Sequence, residues 1–154
     1  MADLAPTRAG DLRITTLAAQ IRAAQAAQIT AMAAWLHAWG QVTPPLTNGA
    51  GDGRALAAHG VEGHDMPGAG MPPMPPGAHG MMSHDAMNML RTSTGRAFDR
   101  LFLTMTTEHH GGALDMAATE LKDGTNAAAR GLADDIRSTQ ASEITYMRDL
   151  VGQV

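Results

Sequence analysis

Cysteine is absent from the 154 residues. That excludes disulfides and thiolate metal sites, and it is silent about compartment, because proteins on either side of a membrane can lack cysteine. Aromatic residues make up only 3%, too few for a sheet built on large cross-strand side chains, whereas alanine is abundant. The chain is therefore expected to be all-α with closely packed helices. Positive charge is not in excess: the formal net charge is -4, and no basic face recommends nucleic acid or an anionic membrane as a partner. No run reaches the roughly 18 apolar residues of a spanning helix, so membrane insertion is not expected. Residues 1–10 lack the charged start and apolar centre of an export signal. The length suits one helical-bundle domain over 1–154.

What is present is organised around the stretch from Phe98 to Leu121. Phe98, Phe102, Met105, His109, Gly112 and Met116 follow one another at steps of four and three residues, the spacing of one helix face. An imidazole in an apolar stripe must have its nitrogens satisfied by a polar neighbour or a metal ion. His110 follows directly, so two imidazoles approach the core at one level.

Taken in order, Asp11 caps a helix that runs to about Trp39 and closes at Gly40. Its inward stripe reads Ile21, Gln25, Gln28, Met32, Trp35, Trp39. From 41 to 82 the period collapses into a connector holding seven of the eight prolines, a long loop. Ser83 caps a short helix to about Thr94, before Gly95. The central helix runs from about Arg96 to Lys122, and Asp123-Gly124 makes the turn. Asn126 caps a last helix to about Val151, with the stripe Leu132, Ile136, Gln140, Glu143, Met147, Leu150.

The first and last helices repeat each other at an offset of 115 residues: Leu17, Ala18, Ile21, Arg22, Gln25, Ala26, Ile29, Thr30 and Met32 match Leu132, Ala133, Ile136, Arg137, Gln140, Ala141, Ile144, Thr145 and Met147. The same offset sets Met1-Ala2 on Met116-Ala117. The register implies that the helix preceding the first copy lies almost wholly before residue 1, through a truncation or a misplaced start.

The motifs FDRLF, Met105-x3-His109-His110-x2-Ala113-x2-Met116-Ala117 and Gln140-x2-Glu143-Ile144-x2-Met147, with a Met/His-rich connector between the copies, resemble the domain of unknown function 305 family, whose members include CopM-like copper-binding proteins. The resemblance implies a ferritin-like bundle of two helical hairpins, export to the periplasm, and a link to copper tolerance. It places the family's functional positions on His109, His110, Met116, Gln140, Glu143 and Met147. The first copy departs from the pattern: it has no His-His pair, and Gln28 stands where the second copy has Glu143.

Glu143 lies on the apolar stripe of its helix, where an unpaired carboxylate is costly, so it is expected to face His109 or His110. A His-Glu hydrogen bond pinning the hairpin and a metal site both satisfy that expectation. Met105, Met116 and Met147 around the imidazoles serve either as ligands or as core filler.

The connector carries the stronger metal signal. His59, His64, Met66, Met71, Met74, His79, Met81, Met82, His84, Met87 and Met89 gather four of the seven histidines and seven of the twelve methionines in 31 residues. Thioether and imidazole without thiolate suit Cu(I), with silver as its soft mimic, and imidazole alone suits Cu(II), nickel or zinc. Such a segment suits capture, buffering or donation to another copper-handling protein. It does not suit catalysis.

Two other readings stay open, a metal-free helical interaction domain and a ferritin-type redox enzyme. Ferritin-like di-iron sites take Glu-x-x-His from two helices, whereas here Tyr146 follows Glu143 at that spacing and Gly111 follows Glu108. A bundle short of one helix leaves an apolar groove lined by Ile21, Met32, Trp35 and Trp39. A second copy of the chain covers it as a homodimer, or the short helix at Ser83 folds back into it through Met87 and Leu90.

Overall fold

The computed structural model describes residues 1–41, 80 and 82–154. A single 3-10 turn, Ala2–Leu4, runs into the short helix α1, Ala5–Arg8. Then come α2, Leu12–Ala38, α3, His84–Thr92, α4, Gly95–Asp123, and α5, Ala127–Val151. Among the described residues there is no strand, so the chain is an all-α bundle.

The starts of α2, α3 and α5 have a local cause. The Asp11 carboxylate accepts the Arg13 amide at 2.8 Å, the Ser83 hydroxyl accepts that of Ala86 at 3.1 Å, and the Asn126 side chain accepts those of Ala128 and Ala129. Each thereby satisfies amides that have no intrahelical partner. The repeat persists in three dimensions: α1 and α4 end 115 residues apart, at Arg8 and Asp123, and α2 and α5 begin 115 apart, at Leu12 and Ala127. The short α1 stands where the last turn of α4 stands in the second copy. At the other end of α2, Gly40 turns the chain at φ 70°, a conformation costly to a side chain.

The α4–α5 hairpin is the main packing unit, and α2 lies along it. Ile14, Leu17, Ala18 and Ile21 of α2 join Phe98, Phe102, Leu103 and Met105 of α4 and Ile144, Met147 and Leu150 of α5 in one core. Phe98 and Phe102 stack with ring centroids 5.8 Å apart, and burying each large apolar side chain contributes roughly 1.5–3 kcal/mol. Arg13 at the start of α2 donates to Gln153, just past the end of α5, at 2.7 Å. α2 thus runs antiparallel to α5 and parallel to α4.

The turn before α2 is tied to α4 through a buried carboxylate. The Gly10 amide donates to Asp99 at 3.0 Å, and a Cβ on Gly10 would sit 2.9 Å from the Gly95 Cα, so this close backbone crossing requires a glycine.

Packing departs from the sequence expectation in two places. α3 packs on α4, with Leu90 fully buried and Met87 partly so, Met87 sharing a cavity with Met1, Ile21 and Phe102, and it does not line the groove beside the far half of α2. That half remains half open: of the stripe Ile21, Gln25, Gln28, Met32, Trp35, Trp39, only Ile21 is buried, and Trp39 is 52% exposed. α2 is buried against the hairpin up to Ile21, and beyond that point it meets the hairpin across a groove.

Candidate functional site

The centre of the site is the facing pair of α4 and α5. His110 Nε2 lies 2.7 Å from Glu143 Oε2, with the imidazole 0% exposed and the carboxylate side chain 18% exposed. Glu143 therefore meets its stripe-mate across the hairpin, and the partner is His110. The fully buried histidine is His110 and not His109, which is half buried. The apolar stripe through His109 is one edge of a wider arc. Asp99, Leu103, Thr106, His110 and Ala117 form a second buried face, masked in the sequence by three polar members. α4 touches both α5 and the α1–α2 segment, so two of its faces are interior.

His109 stands beside the pair, ring centroid 6.1 Å from that of His110. Burial, then the neighbouring His110, hold its pKa below the ordinary 6.5, so at neutral pH the ring is uncharged and keeps a lone pair. Its Nδ1 has no hydrogen-bond partner, and neither have His110 Nδ1, Thr106 Oγ1 and Gln140 Oε1, all buried. Buried polar atoms without a protein partner are costly unless water or another group meets them.

Two cavities meet at His109. The smaller, about 280 Å³, is lined by His109 with Met82, Met87, Gln25, Thr106 and Phe102, among others. The chain reaches it through Gly80, whose φ is 89° and where a Cβ would lie 3.0 Å from the His109 carbonyl oxygen and 3.2 Å from the Gly112 Cα. A glycine at 80 against a glycine at 112 lets the connector's end lie on the backbone of α4 and brings Met82 to the cavity. The larger, about 550 Å³, is the groove between the far half of α2 and the hairpin, apolar except for Gln25, Gln28, His109, Glu120 and Gln140.

The other expected site residues divide by place. Met105 and Met147 are packed in the core, 5% and 0% exposed. Met116 is half exposed on the groove wall, and Gln140 is buried at the same groove. His84 is exposed at the first turn of α3. His59, His64, Met66, Met71, Met74, His79 and Met81 lie outside the described residues. Sequence reasoning missed Thr106 and Asp99. The signal was present in the four- and three-residue spacing of Asp99, Leu103, Thr106 and His110.

Among the described residues no three His, Asp or Glu side chains converge as a metal-ligand group.

None of the curated proteins compared with the chain matches it. The crystal structure of a Streptomyces coelicolor DUF305 protein described as secreted superposes with a TM-score of 0.74 at 26% sequence identity, covering 99% of this chain and 80% of that one. The family model described as "Domain of unknown function (DUF305)" matches residues 1–151, and the chain belongs to that family.

Proposed function

We propose that this protein binds soft metal ions, Cu(I) first with silver as its mimic and Cu(II) as a further form, and serves in their sequestration, tolerance or delivery outside the cytoplasm. The observation that carries the reading is the small cavity whose lining includes Met82, Met87 and His109, the last with its pKa held below the ordinary value by burial. Two soft sulfurs and one borderline nitrogen fit a d10 monovalent ion and suit zinc or magnesium poorly. Met82 is also the described end of the connector, whose His59, His64, Met66, Met71, Met74, His79 and Met81 offer further donors of the same kind. The ion is cargo, so the reading is one of binding, with no catalysis. His110 and Glu143 then act as support, fixing α4 against α5 so that His109 is held at the cavity rim. The secreted description of the Streptomyces coelicolor relative favours a place outside the cytoplasm. Transfer to another copper-handling protein would use the same donor chemistry.

The test is anaerobic titration of the metal-depleted chain with Cu(I), Ag(I), Cu(II) and zinc, followed by metal analysis after dialysis. The wild type is compared with Met82→Leu/Met87→Leu and with Met66, Met71, Met74, Met81 and Met82 all replaced by leucine. Leucine keeps apolar bulk and removes sulfur, so Cu(I) and Ag(I) retention should fall in both variants while helix content stays constant. Unchanged uptake in both, or no retention of either ion by the wild type, overturns the reading.

A further inference from the structure

The donors at the small cavity stand on two bodies that are held unequally. His109 lies half-way along α4, a helix of 29 residues, and is adjacent in sequence to the residue that bonds α4 to Glu143 of α5. Met82 and Met87 belong to a short piece, Met82 to Thr92, most of it the nine residues of α3. That piece is joined to α4 through Ser93 and Thr94, both extended.

What holds the piece against the bundle is apolar and small. Leu90 is its one fully buried side chain, and Met82, Ala86 and Met87 are partly buried against the core. His84, Asp85, Asn88, Met89 and Arg91 are exposed. Among the described residues no hydrogen bond or ion pair ties Met82 to Thr92 to another helix. The first such tie falls just beyond it, where Arg8 Nη1 donates to the Ser93 carbonyl at 3.5 Å. A segment with so few buried contacts opens more readily than the hairpin it rests on.

We propose that Met82 to Thr92 is a clasp that an ion draws shut: a soft cation held by Met82, Met87 and His109 ties this segment to α4, so that binding and docking are one equilibrium. The proposal rests on the soft-metal reading of this cavity and goes beyond it by assigning a closure to α3. Thioethers from the segment and an imidazole from the helix share one ion only while the segment is docked, so the ion favours the docked state. Leu90 is then a positioning residue. It strengthens binding without touching the ion, because apparent affinity scales with the fraction of chains already closed. By linkage, the ion favours docking by the same factor by which docking favours the ion. Such a clasp suits cargo that must later leave, since a single opening withdraws both sulfurs together.

The test is hydrogen exchange across α3 in the full chain, first stripped of metal by chelator and dialysis and then loaded with Ag(I), with an Ag(I) competition titration on the same samples. Without metal, the amides of α3 should exchange faster than those of α4 and α5. With Ag(I) they should slow by at least about tenfold, and those in the middle of α5 much less. Met82→Leu/Met87→Leu keeps apolar bulk, so its metal-free exchange should match the wild type while the Ag(I) effect on α3 vanishes. Leu90→Ala should speed metal-free exchange of α3 and weaken Ag(I) binding by about tenfold with all three donors in place, and Leu90→Ile should recover most of both. The clasp is overturned if α3 exchanges no faster than the hairpin without metal, if retained Ag(I) leaves α3 exchange unaltered, if the double leucine variant shows the same slowing, or if Leu90→Ala leaves either quantity unmoved. Each of those results is compatible with Ag(I) retention by the wild type, whereas no retention overturns the soft-metal reading and the clasp with it. If Leu90→Ala loses helix content beyond α3, the wild-type comparison with and without Ag(I) decides.

Discussion

His110 and Glu143 are joined at 2.7 Å across the α4–α5 hairpin, a fully buried ring bonded to a carboxylate that still touches solvent. The arrangement satisfies Nε2 of the buried ring and leaves the carboxylate part of its solvation. It is also asymmetric within the repeat, since the position equivalent to Glu143 is Gln28, which lines the open groove.

Removing the carboxylate alone should therefore be costly. Glu143→Ala leaves a buried ring nitrogen without a partner, and the unfolding free energy in denaturant should drop by about 1–3 kcal/mol. Glu143→Gln should cost less, because its amide oxygen still accepts. In a His110→Ala background the Glu143→Ala change should cost little, and strictly additive losses would show that the two residues are not coupled.

The protonation of His109 gives a pH signature. Burial and the adjacent His110 set its folded pKa below 6.5, the value expected unfolded, so in between the unfolded chain binds more protons than the folded one. Stability is then fully present above about 6.5 and is lost as the pH falls through the folded pKa. The slope of unfolding free energy against pH in that window should shrink in His109→Gln. An NMR titration placing the His109 midpoint at or above 6.5 would contradict this account.

Gly80 should resist substitution for two separable reasons. Alanine there must adopt φ 89° and place a Cβ 3.0 Å from the His109 carbonyl oxygen, at a cost of about 1–2 kcal/mol from the backbone conformation alone. Asparagine tolerates positive φ better and still carries a Cβ. Equal destabilisation by Ala and Asn would assign the effect to the contact with α4, and a milder Asn would assign it to the backbone. In both variants hydrogen exchange should quicken around Met82, and unaltered exchange would mean that Gly80 does not dock this segment.

Much of the architecture was legible because it is local. Caps at Asp11, Ser83 and Asn126 are chemical signals readable within three residues, and the helices begin at each of them. The repeat was legible too, since its matched residues survive as matched helix boundaries. That Glu143 needs a histidine followed from placing a carboxylate on an apolar stripe. Which histidine did not follow. His109 and His110 are one residue apart on a helix with two buried faces, and periodicity assigns a face without saying which neighbour covers it. Only the packing of α4 between α5 and the α1–α2 segment put His110 against Glu143 and left His109 at the junction of two cavities. Tertiary structure likewise set α3 on α4, with Leu90 in the core and Met87 beside Phe102 and Ile21.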